Sequence, residues 1–192
     1  MKRSVQFLTR SAVIAAAYLV LTLPLAQIAF GPIQFRLAEA LTVLAAITPS
    51  AVPGLFVGCL ISNLMNPQNL GPVDIVFGSL ATLLAAWLTW QMNVKLLGRQ
   101  DQSQPGGGKT GRIRQTSIWF RHLVVLSPAV WVNAIVVGFY LPWIIPDLTV
   151  TAGFRIWTIA SIFLSQSVVT YLIGLPVYLA LKKMRLFVAE DV

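Results

Sequence analysis

Charge is almost absent from four long stretches of this chain. Residues 11–30, 73–92, 119–145 and 153–181 hold between them only Asp74, Arg121 and Arg155 as charged side chains. A helix rises about 1.5 Å per residue, so roughly 20 apolar residues span a hydrocarbon core of about 30 Å. Runs of this kind exclude most soluble folds. The composition agrees, with 57% hydrophobic and 10% charged residues against roughly 25% charged in an ordinary soluble domain.

The net charge of +8 would point to nucleic acid if it were spread over one face, but its distribution argues otherwise. Of the 14 Lys and Arg residues, all but Arg36 and Arg155 fall in segments that share one side of the membrane if both termini do. Basic residues gather on the cytoplasmic side of membrane proteins. The sequence therefore predicts an all-α integral membrane protein with six transmembrane helices, both termini cytoplasmic, embedded in a lipid bilayer and with no nucleic-acid partner.

The first run, Ser11 to Phe30, follows Lys2, Arg3 and Arg10. We read it as a retained span rather than a secretory leader ending near Pro24, Leu25 and Ala26. Two shorter apolar stretches follow, Leu37 to Ile47 and Val52 to Met65, parted by a turn rich in Pro, Ser and Gly. They form either two steeply packed helices or a re-entrant hairpin, and in both cases the chain returns to the side it left. Residues 73–92, 119–145 and 153–181 complete a single domain over 1–192. Between the fourth and fifth spans lies a basic, Gly-containing cytoplasmic linker at about 93–117. Within it Gly108, Lys109 and Thr110 imitate the end of a phosphate-binding loop, but Ser103 stands where that motif needs Gly.

No catalytic constellation is legible, and the chain is read as a non-enzyme. A single His122 and a single Cys59 make a metal site improbable, and Cys59, inside an apolar run, is expected to pack as a small hydrophobe. No cofactor is expected.

Ionisable groups inside spans cost about 2.5–3.5 kcal/mol each on insertion scales, so the few present are candidate site residues. Arg36 and Glu39, three apart, share one face if helical, and either pair with each other or leave Glu39 facing a ligand. Asp74 follows Pro72 at the start of the fourth span and either caps that helix or joins the site. Asn63, Asn133 and Gln166 either bond neighbouring helices or reach a ligand. Trp131, Phe139, Tyr140 and Trp143 either line one wall or sit in the interfacial belt. Two carboxylates, an arginine, amides and flat rings in the outer half suit a small, planar, hydrogen-bonding solute.

The strings Phe35-Arg-Leu-Ala-Glu-Ala-Leu-Thr42, Gly54-Leu-Phe-Val-Gly58 and Gly71-Pro-Val-Asp-Ile-Val-Phe-Gly-Ser-Leu-Ala-Thr82 resemble the QueT family of queuosine-precursor transporters. These are substrate-binding S components of energy-coupling factor (ECF) transporters. The resemblance is good over about residues 5–92 and rests on length and span number beyond; the linker at 99–115 is longer than the family leads one to expect. It implies a six-helix bundle in the bacterial plasma membrane, holding a vitamin-like solute near its outer face. It also implies partners: a transmembrane T component, docked on small residues of the first helix such as Ala12 and Ala16, and two cytoplasmic ATPases. The implied substrate is a 7-deazaguanine base such as preQ1 or queuine. Glu39 would accept from its ring N–H and amine, Asp74 would pair with the aminomethyl cation of preQ1, and Asn63 or Asn133 would donate to the ring carbonyl. Trp131 or Tyr140 would stack on the base, Arg36 would orient Glu39, and Gln166 is the most remote candidate. A stand-alone secondary transporter, or an S component for another small solute, is the alternative.

Overall fold

The computed structural model describes residues 2–30, 34–66, 70–96, 111–144 and 151–184, and within them every regular element is helical. Seven α-helices run in chain order: α1 (Lys2–Thr22), α2 (Ala26–Ala29), α3 (Ala51–Leu64), α4 (Ser79–Leu96), α5 (Gly111–Ile144), α6 (Ala152–Ser167) and α7 (Leu175–Met184). A 3-10 turn over Leu23–Leu25, where Pro24 removes a backbone donor, joins α1 to α2. A 3-10 helix occupies Leu37–Ala46, and π-helical turns at Asp74–Gly78 and Val168–Gly174 lead into α4 and α7.

Four helical stretches are long and apolar enough to cross a membrane: Arg3–Ala29, Asp74–Leu96, Phe120–Ile144 and Ala152–Met184. They fall on the four low-charge runs. Leu37–Ala46 and Ala51–Leu64 are shorter apolar helices. Drawn out as 3-10 helix at about 2.0 Å per residue, Leu37–Ala46 covers about 20 Å where an α-helix of that length would cover about 15 Å. Two separate helices thus form here, and contacts at both ends show that the chain does turn back. At the turn, Ser11 Oγ on α1 donates to Ser50 O at 2.9 Å. At the other end, Arg36, before the 3-10 helix, and Asn63, near the end of α3, both approach Asp74.

The helices extend into the expected linker: α4 runs to Leu96 and α5 begins at Gly111. Residues 97–110, including Gly108, Lys109 and Thr110, lie outside the described residues.

Small residues set the closest helix crossings, as expected where lipid removes the hydrophobic drive between helices. A Cβ on Gly54 would stand 2.7 Å from Ser11 O, and one on Gly58 2.7 Å from Tyr18 Cβ, which fixes α3 against α1. Gly138 lies under Ile159 where α5 crosses α6. Gly174 meets Val43 of the 3-10 helix, whose residues are almost all buried. That helix is the centre of the bundle.

Two prolines shape the long helices. Pro128 inside α5 leaves Val124 O without its usual donor, and Ser127 Oγ takes that place at 2.8 Å. The π turn at Val168–Gly174 ends just before Pro176, whose ring would crowd the carbonyl of Leu172 in a regular α-helix.

Candidate functional site

At the end of the bundle where Arg36, Asn63, Asp74 and Tyr140 meet, buried polar side chains from six elements form one connected cluster. The chain enters it through a strained turn. Gln34 holds φ 44, a left-handed conformation that costs a non-glycine residue about 1–3 kcal/mol, and Arg36 follows in an extended conformation. Arg36 is therefore not on a helix. It is only 3% exposed. Its Nε donates to Ala29 O at 3.1 Å, its Nη1 to Cys59 Sγ at 3.7 Å, and its guanidinium lies 4.6 Å from the centre of the Phe30 ring. Its Nη2 faces Asp74 Oδ2 at 3.7 Å. The ion pair forms with Asp74 and not with Glu39.

Asp74 begins the π turn at the mouth of α4 and is 1% exposed. Its side chain makes no cap bond; instead Oδ1 accepts from Tyr140 Oη at 2.8 Å. Asn63 Nδ2 donates to the Asp74 backbone carbonyl at 3.1 Å and to Cys59 Sγ at 3.7 Å. The π turn matters here because it brings Gly78 under these groups. A Cβ at Gly78 would stand 2.9 Å from Asn63 Nδ2, closer than real Cβ atoms come, and 3.0 Å from Tyr140 Oη, a tight contact.

Glu39 sits in the first turn of the 3-10 helix and is 1% exposed. Its Oε1 accepts from Tyr18 Oη at 2.7 Å and from Thr82 Oγ1 at 3.4 Å, and its Oε2 accepts from Asn133 Nδ2 at 3.1 Å. Three helices thus converge on one carboxylate. Cys59 links the two acidic groups: its Sγ accepts from Thr82 Oγ1 at 3.3 Å as well as from Arg36 and Asn63, and donates to Gly78 O at 3.8 Å. Cys59 packs in the apolar core beside Leu55 and Tyr18, as expected, and its sulfur meets polar partners as well.

The structure brings together Arg36, Glu39, Asn63, Asp74, Asn133 and Tyr140. It leaves Trp131 outside. That ring is 56% exposed on the bundle surface, 4.8 Å from Phe163, where it borders an apolar groove of about 350 Å³ between α5 and α6. Tyr140 contributes its hydroxyl to Asp74 and meets Phe77 at 6.1 Å between ring centres. Gln166 is buried, and its Oε1 has no hydrogen-bond partner among the described residues. Ala12 and Ala16 are exposed along α1 while Ser11 and Ala15 turn inward. Tyr18, Thr82 and Cys59 join the cluster without having been singled out from the sequence. The seven-residue step from Asn133 to Tyr140 marks one face of α5, and the two-residue step from Trp131 to Asn133 marks opposite faces.

Three buried polar atoms in this cluster lack hydrogen-bond partners among the described residues: Arg36 Nη2, Asp74 Oδ2 and Asn63 Oδ1. Buried polar atoms are nearly always satisfied. Three neighbouring atoms of this kind fit a ligand that supplies donors and acceptors. Among the described residues, no group of three or more His, Cys, Asp or Glu side chains could hold a metal ion.

Comparison with known proteins adds family information. The family model described as QueT transporter matches residues 8–183. A 75-residue stretch is 37% identical to the queuosine precursor transporter QueT of Lactococcus lactis subsp. cremoris (strain MG1363), covering 38% of this chain and 43% of that protein. No solved structure matches.

Proposed function

The chain belongs to the QueT transporter family, and from that premise we propose that it is the substrate-binding S component of an ECF transporter that imports a queuosine precursor. The substrate is a 7-deazaguanine base such as preQ1 or queuine, held near the outer face of the plasma membrane. The name of the Lactococcus relative supports the substrate class. The observation that carries the reading is the wholly buried cluster of two carboxylates, one guanidinium and two amides. A lipid or a bare ion would not need so many directed donors and acceptors, whereas a flat heterocycle with both kinds of group on its rim does.

The same proposal gives the protein a single six-span domain with both termini in the cytoplasm. The basic residues favour that orientation, which puts the cluster in the outer half, away from the Lys- and Arg-rich side. A T component would dock on the exposed Ala12 and Ala16 face of α1, where small side chains let a neighbouring helix approach closely. Two cytoplasmic ATPases would drive the cycle through it.

Purified protein in detergent, titrated with preQ1 and with 7-deazaguanine, tests the binding half; uptake of labelled preQ1 by cells, with and without co-expressed T component and ATPases, tests the coupling half. Saturable binding together with ATP-dependent uptake is the expected result. Absence of binding overturns the substrate class. Binding with uptake that proceeds without the ATPases overturns the S-component reading in favour of a stand-alone carrier. Replacing Ala12 and Ala16 by Leu is expected to stop uptake and leave binding intact; lost binding would place these alanines in an internal contact.

A further inference from the structure

The two carboxylates differ in what they have left to offer, and this difference assigns the reading of the ligand's edge. Both oxygens of Glu39 already accept, Oε1 from Tyr18 and Oε2 from Asn133, while Thr82, whose one hydroxyl proton also faces Cys59 Sγ, approaches Oε1 at 3.4 Å. Each oxygen of this carboxylate is thus engaged within the protein. At Asp74 only Oδ1 is engaged, by Tyr140, while Oδ2 and the facing Arg36 Nη2, 3.7 Å away, each lack a hydrogen bond. That separation is longer than a charge-assisted hydrogen bond of about 2.7–2.9 Å. Beside them, Asn63 is oriented without ambiguity: its Nδ2 points at a backbone carbonyl, which can only accept, so the unpartnered atom is the acceptor Oδ1.

We propose that Arg36 Nη2, Asp74 Oδ2 and Asn63 Oδ1 form a donor, acceptor, acceptor set that reads a lactam-plus-amine edge, while Glu39 is a positioning residue that brackets the helices around it. The inference rests on the proposed 7-deazaguanine substrate and names how its edge is recognised. The ring carbonyl would accept from Arg36, the adjacent ring N–H would donate to Asp74, and the exocyclic amine would donate to Asn63. An adenine-type edge presents a donor and an acceptor in the opposite order and leaves Arg36 and Asp74 mismatched. Buried groups left unpaired make such discrimination steep.

The test compares affinities of the full-length protein in detergent for 7-deazaguanine, for 7-deazahypoxanthine, which lacks the amine, and for a 6-methoxy analogue, which has no lactam N–H. The wild type should prefer 7-deazaguanine over each analogue by about tenfold or more, since one hydrogen bond to a charged or buried partner is worth about that factor. Asn63→Leu should abolish the preference over 7-deazahypoxanthine and keep the other. Asp74→Asn should abolish the preference over the 6-methoxy analogue and keep the amine preference, whereas Arg36→Lys, which retains a cationic donor and leaves Asp74 in place, should keep both. Glu39→Gln should weaken all three ligands by the same factor and preserve both preferences. Loss of either preference in Glu39→Gln would by itself overturn the inference, even where another variant fails to fold, and so would retention of both preferences in the Asn63 and Asp74 variants; both outcomes leave the substrate class intact. A wild type that binds none of the three compounds would overturn the substrate class itself.

Discussion

Glu39 and Asp74 are both acidic, both 1% exposed and both within a bundle of apolar helices, yet the protein treats them differently. Glu39 is surrounded by neutral donors from α1, α4 and α5, and among the described residues no ion pair reaches it. Asp74 has a cation opposite it at a distance too long for a hydrogen bond, and one of its oxygens lacks a hydrogen-bond partner among the described residues. The first arrangement ties helices together; the second holds charge in reserve. Buried charge is therefore not by itself a sign of a binding group, and the valence left over separates the two roles.

Four substitutions sharpen or break that contrast, in order of expected effect. Arg36→Met removes the cation facing Asp74 and leaves a buried charge uncompensated, which should cost about 3–5 kcal/mol of stability; thermal unfolding in detergent measures it, and an unchanged Tm would mean the two charges are not coupled. Glu39→Gln keeps shape but loses charge-assisted acceptance from Tyr18, Thr82 and Asn133. It should cost about 2–3 kcal/mol in the same melt, and a loss below that of a surface substitution would remove the bracket role. Gly78→Ala forces a methyl against Asn63 and Tyr140 and should cost about 1–3 kcal/mol by overpacking. Its ligand affinity should fall with its Tm, whereas normal binding would show that the Asp74 corner is looser than the contacts imply. Trp131→Leu removes an aromatic pair on the bundle surface and should cost about 0.5–1 kcal/mol. Equilibrium binding is expected to stay at the wild-type value, and a large loss of affinity would move the ligand toward the α5–α6 groove.

Much of the architecture was legible because hydrophobic length is a one-dimensional signal. The four long spans need only a run of apolar residues. The 3-10 winding of Leu37–Ala46 was not legible, because an apolar run of that length reads equally well as a short α-helix. Within the site, Glu39, Asp74, Arg36, Asn63, Asn133 and Tyr140 were recoverable because polar groups in spans are rare. The pairing of Arg36 with Glu39 failed as an option for a local reason: same-face spacing presumes a helix, and the turn at Gln34 leaves Arg36 extended. Tyr18 and Thr82 carried no signal, since a Tyr or Thr among Ala and Leu is ordinary in a membrane helix. Trp131 was grouped with Tyr140 among the aromatic residues of the fifth span, although nine residues along a helix is about two and a half turns, and the exposed ring follows from that rotation.

Cys59 has one practical consequence. It is the one sulfhydryl in the chain, and it touches Arg36, Asn63 and Thr82 at once. The S–H stretch absorbs in an infrared window that other protein groups leave clear, and its frequency follows the strength of the hydrogen bonds around it. The protein therefore carries a native vibrational probe at the junction of its two acidic centres. Infrared spectra recorded during a titration can follow events there with no label and no altered residue.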